Sequence, residues 1–132
     1  MTVRITLEQC ITLYRARIDA GPLVNRGKLD GAVAAPFQTF DDQDLFPTLI
    51  GKAARLAYGI AEAQAFQDGN KRLAWLVTVV FLELNGVVLD VDQDEAAYAL
   101  RAVGARQLSQ TEFIRWMICC STSRSPACPR IA

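Results

Sequence analysis

Histidine is absent from this chain of 132 residues, and neither sign of charge is in excess, because 14 basic residues balance 14 acidic ones. A protein without surplus Lys and Arg lacks the broad positive field that sequence-independent nucleic-acid binding requires. Cysteines occur at positions 10, 119, 120 and 128, but their spacing matches neither a zinc site nor a disulfide framework, and no histidine can complete a zinc site. We therefore expect reduced thiols, no cysteine-held metal and no nucleic-acid partner.

Long apolar runs are lacking as well. The longest covers residues 73–82, is interrupted by Thr78 and ends at Glu83, so it is too short to cross a bilayer and is better explained as a buried helix. The N-terminal residues also lack the basic block followed by an apolar block that marks a signal peptide. These absences predict a cytoplasmic protein that makes no contact with a membrane.

The composition and length are those of one globular domain. Apolar residues make up 52% of the chain and charged residues 21%, which is typical of a folded protein, and the length suits a single core. We assign the domain to residues 1–120. Residues 121–132 carry serine, arginine and two prolines without periodicity, so we predict a disordered C-terminal tail.

Apolar residues recur at helical spacing along most of the domain, which predicts an all-α fold of about six helices. The predicted helices cover residues 6–20, 28–35, 46–65, 70–84, 92–103 and 109–119. The helix over residues 70–84 is apolar almost all round, so we place it at the centre of the domain. Residues 36–40 have extended character and predict a short flap, beside which residues 87–91 are expected to form a strand.

Local signals support the ends of these helices. Thr6 and Gln9 form a capping-box pair at the start of the first helix. Pro36 forbids continuation of the second helix, whereas Pro47 is tolerated in the first turn of the third. Gly86 is the expected stop of the central helix, because glycine adopts the left-handed conformation found there.

The most informative stretch, residues 64–72, joins the third predicted helix to the central one and reads Gln-Ala-Phe-Gln-Asp-Gly-Asn-Lys-Arg. Gly69 permits a positive φ angle, so successive backbone amides can converge on an anion. The amides of Asn70, Lys71 and Arg72 belong to the first turn of the central helix and have no partners within it. Together with the helix dipole they predict a phosphate site.

The charged side chains in this stretch favour the same interpretation. Lys71 and Arg72 lie at the positive end of the helix dipole, where each cation typically costs about 0.3–1 kcal/mol. A bound anion would offset that cost, and Asp68 beside bound phosphates is a natural ligand for Mg²⁺. The competing interpretation is an ordinary Asp-Gly-Asn turn followed by a solvated Lys-Arg pair, since short motifs also occur by chance.

The same stretch resembles a known family signature. The core of the Fic/Doc signature, His-x-Phe-x-Asp-Gly/Ala-Asn-Lys-Arg, is similar to the run Phe66-x-Asp68-Gly69-Asn70-Lys71-Arg72. Residues 27–58 and 81–86 are similar to the death-on-curing (Doc) branch of that family, so that the likeness covers about residues 3–118. The resemblance implies a single helical domain of the Fic/Doc type.

Likeness to this family implies an enzyme that moves part of a nucleotide onto a protein hydroxyl, with ATP as substrate and Mg²⁺ as cofactor. Most family members transfer a nucleoside monophosphate, whereas the Doc branch transfers the terminal phosphate of ATP to a threonine of elongation factor Tu and so arrests translation. An antitoxin encoded alongside would hold such a toxin in check by docking a helix in the groove.

The resemblance also implies a role for each matching residue. Asp68 would hold magnesium, Arg72 would neutralise charge on the transferred group, and Phe66 would anchor the loop in the core. The phosphates would be cradled by Gly69, Asn70, Lys71 and Arg72, and the target segment would lie in a groove lined by Pro36, Phe37, Thr39 and Phe40.

One position departs from the signature, because Gln64 stands where the family has histidine. That histidine takes the proton from the attacking hydroxyl, and a carboxamide cannot replace it as a base, so the rate should fall by roughly 10²- to 10⁴-fold. Gln64 can still accept a hydrogen bond from the hydroxyl. Either a histidine was replaced so that a growth-arresting toxin could be produced safely, or the chain is a natural relative that binds without turnover.

Three classes of function therefore compete. The first is a toxin-type, protein-modifying transferase impaired at Gln64. The second is a catalytically inert module that binds a nucleotide or a partner, which predicts ATP binding with no product even after histidine is restored. The third, a helical nucleic-acid or scaffold protein, is disfavoured by the balanced charge and by the lack of a basic helix or a set of base-stacking aromatic residues.

Overall fold

Four α-helices, a short 3-10 helix and one β-hairpin follow one another along the part of the chain that a computed structural model describes, which comprises residues 2–88 together with Glu112 and Arg115. In chain order they are α1 (Leu7–Arg17), α2 (Arg26–Ala34), the 3-10 helix (Ala35–Phe37), β1 (Thr39–Phe40), β2 (Gln43–Asp44), α3 (Leu49–Ala63) and α4 (Asn70–Leu84). The predicted all-α class is confirmed, since the only sheet among the described residues is this two-stranded hairpin.

Helix α1 begins as predicted and ends earlier. Thr6 Oγ1 accepts a hydrogen bond from the Gln9 N–H at 3.1 Å, and Gln9 Oε1 accepts from the Thr6 N–H at 2.8 Å, so the predicted capping box is present. The sequence predicts a helix up to residue 20, but the N–H groups of Ile18 and Asp19 both bond to Tyr14 O, at 2.9 and 2.8 Å. Asp19 then takes a left-handed φ of 45°, which is incompatible with further helix.

Side-chain caps move the starts of α2 and α3 away from the predicted positions. Asn25 Oδ1 accepts from the Lys28 N–H at 3.0 Å, which starts α2 before the predicted residue 28. Thr48 Oγ1 accepts from the Gly51 N–H at 2.9 Å, which starts α3 after the predicted residue 46. The prediction that Pro47 lies in the first turn of α3 is therefore wrong, because this proline precedes the cap.

The predicted extended stretch over residues 36–40 is only partly extended. Pro36 lies in the 3-10 helix, and only Thr39 and Phe40 form strand β1. β1 pairs antiparallel with β2, so that Thr39 faces Asp44. The two aspartates between the strands make the turn with positive φ angles of 55° and 63°, a conformation that aspartate tolerates better than most residues.

The prediction of a strand beside the flap over residues 87–91 is wrong for residues 87 and 88, which the structure describes. β1 pairs with β2 instead, and Val87 and Val88 belong to no strand. Closing a short local hairpin costs less loop entropy than joining two segments far apart in the chain. Residues 89–91 lie outside the described residues.

The core lies between α3 and α4, which share the most extensive contacts in the described part of the chain. Helix α4 begins at Asn70 and ends at Leu84 as predicted, and Gly86 beyond its end has a left-handed φ of 84°. The buried residues of α4 lie on several sides of the helix: Leu73, Ala74, Trp75, Val77, Thr78, Phe81 and Leu82. This burial agrees with the central position predicted for the helix.

The helices predicted over residues 92–103 and 109–119 lie outside the described residues, apart from Glu112 and Arg115, which are both helical. The domain end at residue 120 and the tail over residues 121–132 lie outside them too. Among the helices that are described, none combines the length and the apolar character needed to cross a membrane.

A buried and an exposed leucine on α4 can be compared to measure how much core packing, as distinct from helix propensity, contributes to the free energy of unfolding. Leu82 is fully buried, whereas Leu84 is 47% exposed. We expect Leu82→Ala to lower the free energy of unfolding by about 2–5 kcal/mol, because the truncation removes apolar contacts and leaves a cavity. Leu84→Ala should lower it by about 0.5 kcal/mol or less. Urea denaturation measures both, and equal losses would contradict the central placement of α4.

Candidate active site

The loop between α3 and α4 is shaped first by the way α3 ends. Gln64 caps the C-terminus of α3 in the left-handed conformation, with φ 46° and ψ 47°, and its side chain is exposed. Glycine commonly occupies this position, because the conformation costs a residue with a Cβ atom roughly 1–2 kcal/mol. The turn ends α3 before the predicted residue 65 and directs the chain toward α4. Backbone strain of this kind is typical of functional sites.

A second segment holds the loop from the side. The N–H groups of Val24 and Asn25 both donate to Ala65 O, at 2.7 and 3.0 Å, and the Gln67 N–H donates to Pro22 O at 3.0 Å. The backbone of residues 65–67 is thus paired with the chain that leads from α1 to α2. These three bonds hold the loop through its main chain and do not involve the exposed side chains of Gln64 and Gln67.

Phe66 and Asn70 close the loop on itself. Phe66 is 2% exposed, and its ring stacks on that of Tyr14 with centroids 3.6 Å apart. Asn70 Oδ1 accepts from the Phe66 N–H at 3.1 Å, and Asn70 Nδ2 donates to Phe66 O at 2.8 Å. The Asn70 carboxamide is committed to these two bonds, so a contact of this residue with phosphate would come from its backbone N–H.

The N-terminus of α4 has the geometry of an anion-binding helix end. Gly69 precedes it with a φ of 81°, and no side chain caps it. The Leu73 N–H donates to Gly69 O at 2.9 Å, so the amides of residues 70–72 lie ahead of the regular hydrogen-bond ladder. A Cβ atom on Gly69 would lie 2.7 Å from Ile18 Cγ2, so glycine is also needed for the close approach of the loop to α1.

The charged side chains of the loop are accessible. Lys71 and Arg72 are exposed, the first turn of α4 carries no acidic residue, and within the described residues neither cation forms an ion pair. Asp68 is also exposed, and its Oδ1 accepts a hydrogen bond from the Gly69 N–H at 2.7 Å. A phosphate-bearing ligand would meet two cations, a row of amides and a carboxylate in one loop.

Asp68 suits a metal that arrives with its ligand. No group of three His, Cys, Asp or Glu side chains able to hold a metal occurs in the part of the chain that is described. Mg²⁺ commonly keeps several waters and is bound by one or two carboxylates plus the phosphates of a substrate. Asp68 is therefore the carboxylate of this loop that could hold Mg²⁺, with the remaining ligands supplied by water and by phosphates.

Cys10 takes no part in this chemistry. It is buried, and burial raises the pKa of its thiol from 9.0 to about 12. The thiol therefore stays protonated at neutral pH and is a poor nucleophile and a poor metal ligand. Cys119, Cys120 and Cys128 lie outside the described residues.

Two of the four residues predicted to line a target groove face the core. Pro36 is buried, and Phe37 is half-buried with its ring edge-on to that of Phe81, the centroids 5.9 Å apart. Thr39 is exposed on the hairpin, and Phe40 is 75% exposed. Thr39 and Phe40 therefore present the most accessible side chains of the four, and the groove itself stays a prediction.

A buried lysine outside the motif holds the hairpin against α3. Lys52 is 5% exposed, its Nζ lies 3.2 Å from Asp44 Oδ2, and it also donates to Phe46 O. Lysine is almost never buried without partners, and both of its partners belong to β2 or to the segment that follows it. Lys52 is therefore the link between the flap and the helix that leads into the loop.

A cavity of about 300 Å³ lies between α2 and α3, away from the predicted site residues. Its lining includes the charged residues Lys28, Arg55 and Glu62 and the small residue Gly59. The Tyr58 hydroxyl donates to Glu62 Oε1 at 2.8 Å. No pattern in the sequence indicated this cavity, because it depends on how the two helices pack.

The chain is similar in sequence to proteins of a known family. The sequence profile of the Fic/DOC family matches residues 4–82. The chain belongs to the Fic/DOC family. A curated protein named Toxin Doc, from Mycolicibacterium smegmatis (strain ATCC 700084 / mc(2)155), is 44% identical over 82 residues, which make up 61% of this chain and 63% of that protein. The match thus spans a little under two thirds of the relative, and the predicted likeness to the Doc branch is confirmed.

The strain that the left-handed backbone causes at Gln64 can be tested by measuring the free energy of unfolding of two variants. We expect Gln64→Gly to raise the free energy of unfolding by about 0.5–1 kcal/mol, because relief of the left-handed strain outweighs the conformational entropy that glycine loses on folding. Gln67→Gly is the matched control, since Gln67 is exposed in the same loop without a positive φ. It should lower stability by about 0.5–1 kcal/mol. Thermal and urea unfolding measure the difference, and a loss in both variants would argue against the strain.

The link between Lys52 and the flap of this Fic/DOC domain gives a second test. Lys52→Met keeps the buried stem and removes the charged head, and Asp44, with its side chain 51% exposed, can return to water. We expect the amides of residues 39–44 to exchange with deuterium about 10- to 100-fold faster, the equivalent of a charge-assisted hydrogen bond of about 1.5–3 kcal/mol. Lys28→Met, on the exposed surface of α2, is the control. Unchanged exchange in the flap would show that the hairpin is held by other contacts.

Proposed function

We propose that this chain is a Doc-type toxin of a toxin–antitoxin pair, which transfers a phosphate or a nucleoside monophosphate from a nucleotide to a hydroxyl of a target protein, and that Gln64 impairs its catalysis. Membership of the Fic/DOC family supports transferase chemistry of the Fic kind, and the relative named Toxin Doc supports the toxin role. The observation that carries the proposal is the uncapped N-terminus of α4, where Lys71 and Arg72 lie beside open amides.

ATP is the proposed nucleotide, because the loop offers the contacts that a polyphosphate needs. The amides of residues 70–72 would bind phosphate oxygens in line with the helix dipole. Lys71 would act as a point charge, and the planar guanidinium of Arg72 suits two-fold contact with the group in transfer. When bound, Mg²⁺ supplies further charge neutralisation between the phosphates, and Asp68 is the residue that would hold it.

Gln64 determines how much of the reaction this chain can perform. Its side chain is exposed at the start of the loop that leads to the amides of residues 70–72. The carboxamide oxygen can accept a hydrogen bond from the attacking hydroxyl and orient it, but it cannot take the proton at neutral pH. Nucleotide and target binding should therefore persist, whereas transfer should be slow.

The hairpin is the proposed contact for the target protein. Phe40 is 75% exposed and Leu45 is 52% exposed, and exposed apolar side chains grouped on one segment are typical of a protein-binding surface. Lys52 holds this segment against α3 through its contacts with Asp44 and Phe46. By analogy with the Doc branch, we propose a target such as elongation factor Tu, whose modification in the cytoplasm would inhibit translation.

An antitoxin is the second proposed partner. The sequence predicts that its helix docks in the target groove beside Thr39 and Phe40. The depression between α2 and α3 is a second surface that could receive such a helix. Lys28 and Arg55 at its lining favour a partner segment with acidic side chains, and helix-in-groove docking is a common mode of recognition.

The alternative function is a catalytically inert, Fic-like module that binds a nucleotide or a partner. Gln64 itself favours it, because a family member without turnover has no need of a general base. Both functions require the same phosphate-binding loop, so ATP binding alone does not separate them. What separates them is whether the rest of the site can perform the reaction once a base is supplied.

The deciding experiment restores the base. Purified chain, Gln64→His and Gln67→His are each incubated with Mg²⁺, elongation factor Tu and ATP labelled on either the terminal or the α phosphate. We expect Gln64→His to label the target about 10²- to 10⁴-fold faster than the unchanged chain, since this is the usual contribution of a positioned general base. Gln67→His adds the same imidazole to the same loop at the wrong position and should have no effect.

The position of the label identifies the reaction. Label from the terminal phosphate shows phosphate transfer, and label from the α phosphate shows transfer of a nucleoside monophosphate. If Gln64→His modifies neither elongation factor Tu nor any other protein in a cell lysate, while the chain still binds ATP, the transferase proposal fails and the inert module replaces it.

A further inference from the structure

We propose that Tyr14 is a positioning residue of the nucleotide site, which orients the magnesium-binding carboxylate of Asp68. The inference rests on the proposed function, because it concerns how that site is held. Tyr14 lies on α1 and not in the motif, and its place in the sequence indicates only a buried residue on the apolar side of a helix. Its polar contacts show a more specific role.

The hydroxyl group of Tyr14 joins two loops. It donates to Asp68 O at 2.7 Å and accepts from the Ala20 N–H at 3.2 Å. Tyr14 is 1% exposed, so its side chain is shielded from bulk water. The carbonyl of Asp68 is thereby fixed to the chain that leaves α1.

The ring of Tyr14 contacts the loop on both sides of residue 67. It stacks on Phe66 with an angle of 15° between the ring planes. Its Cε2 would lie 3.5 Å from a Cβ atom on Gly69, and Ile18 Cγ2 would lie closer still. The loop therefore lies on the C-terminal part of α1. Within this contact the Tyr14 hydroxyl supplies a hydrogen bond to the loop, to Asp68 O.

The hydrogen bond from Tyr14 to the Asp68 carbonyl also affects the orientation of the Asp68 side chain. Its carbonyl group and the Gly69 N–H belong to one peptide plane, so a hydrogen bond to the carbonyl also sets the direction of the N–H. That N–H donates to Asp68 Oδ1 at 2.7 Å. The path from the Tyr14 hydroxyl to the carboxylate thus consists of one peptide plane and two short hydrogen bonds.

Partners of this kind control metal affinity without touching the metal. Residues that orient a ligating side chain typically change metal affinity or activity by about 10- to 100-fold when they are replaced. Loss of the Tyr14 hydroxyl frees the peptide plane and lets the Asp68 carboxylate turn away. The amides of residues 70–72 and the two cations remain, so only the magnesium-dependent part of nucleotide binding should suffer.

The test is a titration of the full chain with ATP in a calorimeter, once with Mg²⁺ and once with EDTA. Tyr14→Phe keeps the ring and removes the hydroxyl. We expect its affinity for ATP in Mg²⁺ to fall by about 10- to 100-fold and its affinity in EDTA to stay unchanged. Tyr58→Phe, which removes the hydroxyl bonded to Glu62 on α3, should leave both affinities unchanged.

A second variant separates positioning from general loss of stability. Leu29 is fully buried on α2, so Leu29→Ala should destabilise the domain without changing the contact between Tyr14 and the loop. It should keep the full gain in affinity that Mg²⁺ provides, although it unfolds at a lower temperature than Tyr14→Phe. The increase in ATP affinity on adding Mg²⁺ is thus the quantity to compare, because a purely structural role of Tyr14 would leave it unchanged.

The outcomes distinguish this inference from the function on which it rests. If the unchanged chain binds no ATP, the proposed function itself fails. If Mg²⁺ raises the ATP affinity of the unchanged chain and raises that of Tyr14→Phe by the same factor, only the positioning role is refuted. Equal losses with and without Mg²⁺ would also overturn it, as would a Tyr14→Phe chain that circular dichroism shows to be unfolded, because the hydroxyl would then serve the fold as a whole.

Discussion

The burial of α4 is the constraint on which the rest of the site depends. Leu73 follows directly after the two exposed cations and is itself fully buried, so the helix cannot rotate or slide without exposing core residues to water. Its N-terminus therefore emerges at one fixed place. The Asn70 side chain starts from that place and closes back on Phe66, and the strand-like pairing of residues 65–67 completes the support. A surface loop that carries charged groups is in this way anchored to the core helix that follows it.

The features that the sequence predicted are those with local signals. The bounds of α4, the capping box at Thr6 and the positive φ at Gly69 each depend on residues within one turn or one loop. Lys52 and Tyr14 were not singled out, because their roles depend on partners that only tertiary structure brings near: a flap carbonyl and carboxylate for one, a loop carbonyl for the other. Helical periodicity predicts that a position is buried, but it does not reveal which polar group is buried there with it. The flap is a different case, because the strand partner of β1 is set by the left-handed turn at Asp41 and Asp42 and not by an apolar pattern.

The backbone at Gln64 is held without help from its own side chain. Its backbone conformation is set by the end of α3 and by the bonds that Ala65 O accepts from the neighbouring segment. Neither involves the side chain at position 64. The conformation of the loop therefore does not depend on which side chain stands at position 64, and the amides of residues 70–72 can keep their arrangement when that side chain changes.

On the proposed function, the two cations at the head of α4 would tie the stability of the folded protein to its nucleotide. In the free molecule Lys71 and Arg72 lie in the first turn of α4, at the positive end of the helix dipole, and that turn carries no acidic residue, so a bound anion would stabilise the folded state. A ligand that binds only the folded state adds to the free energy of unfolding with the logarithm of its concentration. Molecules starved of nucleotide would then unfold more often and meet proteases more often. The lifetime of the protein, and not only its activity, would follow the energy supply of the cell.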